Sequence, residues 1–159
     1  MFFHSQHFQA FKLKIDSLDI KNGKNVNKLI LPYEVKDSIL KNNETVQMML
    51  NTCIHTSDIS LTAKTIEIAE RLSKLVYEEF FVQGDREKEL GLSVSMLCDR
   101  NSTNIPRFQI GFIKFVVMPQ FMQISNVIPE ISEYLDNLST NLGYYEWKVS
   151  EDENNKNGK

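Results

Sequence analysis

Between residues 62 and 82 apolar side chains return every third or fourth position, and this repeat constrains the fold more than any other feature of the chain. Ile66, Ala69, Ser73, Val76 and Phe80 fall on one helical stripe, which Leu72, Leu75 and Phe81 widen. Thr62 is placed to cap the start of that helix and Gly84 to stop it. The same spacing sets Val46, Met49 and Cys53 within a helix over 44–57, and Ile131, Leu135 and Leu138 within one over 129–142. Ile105, Phe108, Phe112, Phe115 and Val116 predict a helix over 105–118, with Pro106 in its first turn and Pro119 ending or kinking it. Segments 3–16 and 33–42 are shorter candidates. Segments 17–30 and 88–104 read as loops, and the polar tail 149–159 as disordered. IKFVV has strand propensity, but its helical flanks argue against a strand, so the expected class is all-α.

The 159 residues suffice for one domain with a real core, at 42% hydrophobic and 25% charged. A net charge of -3 gives no general electrostatic reason to bind nucleic acid or anionic lipid. No apolar run approaches the ~20 residues of a membrane span, and the amino end lacks the apolar core of a signal peptide. A cytoplasmic location is expected, with Cys53 and Cys98 as reduced thiols. Phe112, Ile113, Phe115, Val116 and Val117 leave the third helix little polar surface, which points to a packing partner.

Three blocks carry the chemistry. They are His55-Thr56-Ser57-Asp58-Ile59-Ser60, the run Glu79-Phe80-Phe81-Val82-Gln83-Gly84-Asp85-Arg86-Glu87, and Gln109-Ile110-Gly111-Phe112-Ile113. By position alone Asp58 is a helix-terminal cap or a hard oxygen ligand for a metal, and His55, one turn earlier, is a hydrogen-bonded core histidine or a neighbour of such a site. Gln109 and Phe112 project side by side at i, i+3. An amide that both donates and accepts, next to an aromatic ring, suits a purine; the plainer alternative is a satisfied core glutamine and a core phenylalanine. Gly84-Asp85-Arg86-Glu87 reads as a helix stop followed by a solvated surface.

In that order the blocks resemble the class I 3',5'-cyclic-nucleotide phosphodiesterases, over roughly residues 5–147. The resemblance implies the multi-helix, HD-type catalytic fold, with residues 1–148 as its C-terminal portion. It implies that Asp58 ligates zinc, with His55 behind it. It also implies that Gln109 pairs with the purine, that Phe112 stacks on it, that Val76 forms the opposite wall, and that Phe80 lines the same pocket one turn later. Zn²⁺ with Mg²⁺ or Mn²⁺ would serve a hydrolysis of cGMP or cAMP to the 5'-nucleotide in signal transduction.

Two departures shape the expectation. Where many cAMP-selective members continue with Asn-Pro, this chain has Leu61-Thr62, and Asn104-Ile105-Pro106 resembles the cGMP-specific branch, so cGMP is favoured. The family's His-Asn-x-x-His and His-Asp-x-x-His stretches are absent, and the only histidines are His4, His7 and His55. The resemblance thus places the general acid and three further metal ligands upstream, in a missing N-terminal half. The chain is expected to carry the purine-binding half and one metal ligand, and to be inactive alone. The alternative is a non-catalytic nucleotide-binding or interaction fragment. A metal shared by His4 and His7 would lack a third ligand, so that pair reads as incidental.

Overall fold

The computed structural model describes residues 9–17, 37 and 39–157, and among these every regular element is helical. In chain order they are α1 (9–17), α2 (Asn43–Asp58), a 3₁₀ turn (Ser60–Ala63), α3 (Ile66–Glu89), α4 (Ile105–Phe112), a π turn (Ile113–Val117), α5 (Met118–Ser125), a second 3₁₀ turn (Pro129–Ser132) and α6 (Glu133–Asn157). The all-α expectation holds for the described residues. None of their helices is long and apolar enough to cross a membrane. Residues 3–8 and most of 33–38, where two shorter helices were expected, lie outside the described residues, as do His4 and His7.

The chain forms two compact units, one of Met1–Ser60 with Val116–Asp136 and the other of Leu61–Phe115 with Asn137–Lys159. In the first, Phe11, Ile15 and Ile39 make a buried cluster against which Met48, Met49 and Val127 pack. Asn42 caps α2 by accepting from the Thr45 amide at 2.9 Å. The most deeply buried residues of α2 are Thr45, Thr52 and Thr56 rather than the expected Val46, Met49 and Cys53, which are half-buried. Methyl groups let the threonines pack, and their hydroxyls find partners: Thr52 bonds the Met48 carbonyl and Thr56 the Gln120 side chain of α5.

In the second unit α3 starts at Ile66, with Thr65 at the N-cap. Thr62, expected as the cap, is instead buried in the preceding 3₁₀ turn. Asn141 of α6, with 0% exposure, donates to the Thr62 and Lys64 carbonyls at 2.7 and 2.8 Å, and Asn137 donates to Ala63. Three carbonyls that a short turn leaves open are thereby satisfied. The helix does not stop at Gly84. It runs to Glu89, is capped at Leu90, and reverses at Gly91 with φ 68°. Gly84 serves close packing instead, because a Cβ there would lie 1.9 Å from the Cys98 carbonyl oxygen.

Pro119 does not end the third helix either. The π turn before it adds a residue to the winding, and Pro119 falls in the first turn of α5, where its missing N–H has no intrahelical partner to lose. Ile113 and Val117 are fully buried while Phe115 is 80% exposed, so the apolar girdle is covered on one side only. The helix expected to finish near 142 continues through 149–157, the stretch read as a disordered tail. Glu153 in that stretch pairs with Arg107 of α4, and about two turns earlier on α6 Glu146 takes Lys114 at 2.6 Å. These cross-helix pairs give the polar end something to hold that its own composition did not announce.

Candidate purine clamp and metal-ligand carboxylate

Asn104 opens α4 by accepting from the Arg107 amide at 2.9 Å, and Pro106 occupies the first turn as expected. This start fixes the direction of three residues, Phe108, Gln109 and Phe112. Phe108 and Phe112, four apart, stack with centroids 5.9 Å apart and planes 16° off parallel. Gln109 lies beside them, 4% exposed, and its Nε2 donates to the Ser73 hydroxyl of α3 at 3.1 Å. Its Oε1 is buried without a partner among the described residues. A buried acceptor left open is costly unless something donates to it, which marks it as a place for a ligand or a water.

Helix α3 forms the facing wall. Ser73, Val76, Tyr77 and Phe80 share one side of it by helical spacing. Tyr77 is buried and meets the edges of Phe80 and Phe108 at 6.0 and 6.2 Å. Burial first, and then the nearby Tyr145, push the Tyr77 phenol well above its ordinary value, so it stays neutral. Phe80 is half-buried and Val76 is 36% exposed, open enough to touch a ligand and not part of the core stripe. Leu75, expected to widen that stripe, is 65% exposed.

Asp58 belongs to the other unit. It is the last residue of α2, exposed, and among the described residues its carboxylate makes no hydrogen bond or ion pair. A negative charge at the carboxyl end of a helix opposes the macrodipole, so no local bond accounts for it there. His55, one turn earlier, is half-buried and has an interaction partner. No group of three or more His, Cys, Asp or Glu gathers among the described residues. One carboxylate does not meet the three or four protein ligands that zinc requires, so these residues by themselves do not fit a zinc or binuclear site.

Residues 1–138 match the family model described as 3'5'-cyclic nucleotide phosphodiesterase. The chain belongs to this family. It is 35% identical over 113 residues to the probable 3',5'-cyclic-AMP phosphodiesterase pde-4 of Caenorhabditis elegans, covering 70% of this chain and 17% of that protein. It is 44% identical over 94 residues to the dual specificity calcium/calmodulin-dependent 3',5'-cyclic nucleotide phosphodiesterase 1C of Mus musculus, covering 59% of this chain and 13% of that one. The solved structure of LmjPDEB1 in complex with IBMX superposes with a TM-score of 0.73 at 26% identity, covering 92% of this chain and 39% of that chain. The chain thus spans under a fifth of the length of these two curated relatives.

Two residues of this candidate clamp were not expected there from the sequence. Ser73 was counted only as a stripe position, and Tyr77 was not counted at all. The signal was available: Ser73, Tyr77 and Phe80 lie at i, i+4, i+7, and a serine on an apolar stripe asks what it bonds.

Proposed function

We propose that this phosphodiesterase chain recognises the base of a 3',5'-cyclic purine nucleotide, and that the protein it serves hydrolyses the nucleotide to its 5'-monophosphate. The buried, unpartnered Oε1 of Gln109 beside the Phe108–Phe112 stack carries this reading. A purine edge supplies the missing donor, and its face lies against Phe112 with Val76 and Phe80 opposite. Ser73 Oγ holds the far end of the amide, and a hydroxyl both donates and accepts, so either orientation of Gln109 is compatible with it. Adenine offers a donor at its amino group and guanine at N1, so both cAMP and cGMP fit. Leu61-Thr62 in place of Asn-Pro argues against restriction to adenine, and cGMP keeps the preference that the sequence favours.

Asp58 is proposed as the one metal ligand from these residues, with His55 supporting it; Zn²⁺ and Mg²⁺ or Mn²⁺, and a general-acid histidine, would come with groups that these 159 residues do not supply. The chain's own part is to bind and orient: burial of the base against apolar walls excludes water from one side, and Gln109 fixes its rotation.

The test joins residues 1–159 to the histidine-bearing half of the mouse dual-specificity enzyme and follows hydrolysis of cGMP and cAMP. Turnover is expected, with Gln109→Ala raising KM roughly tenfold to a hundredfold. A folded, metal-loaded fusion that binds nucleotide without turnover would leave only the binding-module reading. One that does neither overturns the proposal.

A further inference from the structure

The block Gly84-Asp85-Arg86-Glu87 has no part in the clamp, yet the end of α3 that it forms is tied to the following loop at point after point. Gly84 lies against the Cys98 backbone. Asp85 accepts two bonds from Arg100, from Nε at 3.0 Å and Nη2 at 2.7 Å, and the same guanidinium covers the Phe81 ring at 5.3 Å. Glu87 accepts from the Ser95 amide at 2.6 Å and the Ser95 hydroxyl at 2.7 Å, while Gln83 braces it from the helix at 2.8 Å. Lys88 reaches Asp99 at 2.7 Å, and Asp99 in turn takes the Asn101 amide and the Ser102 hydroxyl, both at 3.1 Å.

These contacts over-determine a loop whose backbone is not relaxed. Leu97 sits at φ 72°, a conformation that a leucine keeps only when its surroundings hold it. The loop then runs without a break into Asn104, whose side chain caps α4. Five residues after that cap comes Gln109, and eight after it Phe112.

We propose that Asp85 and Glu87 are positioning residues of the purine clamp: they pin the loop 90–104 to the end of α3 and thereby fix where α4 begins and which way Gln109 and Phe112 face. The inference rests on the nucleotide reading for its purpose, while the contacts that would carry the coupling do not depend on that reading. Neither side chain touches the base. Their work is to spare the clamp the entropy of ordering a fifteen-residue loop each time it binds.

The test uses the full chain. Amide hydrogen exchange is compared among wild type, Asp85→Asn, Glu87→Gln and the exchanged pair Asp85→Arg with Arg100→Asp, and cGMP is titrated against each. Asp85→Asn and Glu87→Gln are expected to speed exchange at 105–112 about fivefold, to leave α2 and α6 unchanged, and to weaken cGMP binding by a similar factor. The exchanged pair restores both. A loop that loosens while 105–112 keeps its protection, or exchange that rises in every helix alike, overturns the proposal in favour of a merely structural role. Gln109→Ala is the control that separates the two readings: it weakens binding about tenfold or more without altering exchange over 90–104. If the wild-type chain binds no nucleotide, the purine reading falls while the exchange pattern still decides the coupling.

Discussion

Gly84 shows how a single residue can be read correctly in type and wrongly in role. A glycine after an apolar helix reads as a stop, but here the helix passes through it because the Cys98 backbone needs the space. Gly84→Ala is therefore expected to lower stability by about 2 kcal/mol or more, seen in urea unfolding, since backbone at 1.9 Å cannot step aside as a flexible side chain would. Ser73→Ala removes the hydroxyl that takes the Gln109 amide and leaves both ends of that buried group open. A loss of about 1–2 kcal/mol is expected in the same assay, with weaker nucleotide binding. At this scale the paired projection of Gln109 and Phe112 was legible because helical spacing is a local fact; their part, and that of Phe80, in a purine site came only with the family resemblance. Ser73 and Tyr77 were not legible, because their meaning depends on which helix faces them.

Among the elements, the loop 90–104 is the one whose order is set by charge. Gln83 first, then the Ser95 amide and hydroxyl, hold the Glu87 carboxyl below its ordinary value. Lys88 first, then the Asn101 amide, do the same for Asp99. A carboxyl lowered by folding contributes stability above its unfolded value, and the contribution is lost as pH falls through the folded one. The loop is therefore expected to keep its protection from exchange at neutral pH and to lose it progressively below about pH 4, ahead of α3 and α6. Loss of protection on raising the pH instead would contradict this. Helix identity was legible from periodicity for α2, α3 and α4. Ends were not: Pro119 is carried by a π turn, and the polar residues past 149 join α6 through a Glu153–Arg107 pair that no local pattern reveals.

At the scale of the molecule, apolar side chains stay open in both units, among them Ile54 at 71% and Phe115 at 80% exposure. Exposed apolar side chains favour association where they adjoin one another in a patch. Phe115→Asp is expected to reduce self-association in sedimentation while leaving the melting temperature nearly unchanged, as a surface substitution does. Family and all-α class were legible from three ordered motifs, since spacing along helices is written in the chain. Asp58 as a metal ligand came from the resemblance alone: by position it is one carboxylate at a helix end, and ligands that converge from distant segments leave no local trace. The account turns on Gln109. The direct measurement is calorimetric titration of cGMP and cAMP into the full chain and into Gln109→Ala. The account expects both nucleotides to bind the wild type and the substitution to cost each about tenfold or more in affinity. Equal affinity in the two proteins would show that the buried amide does not read the purine.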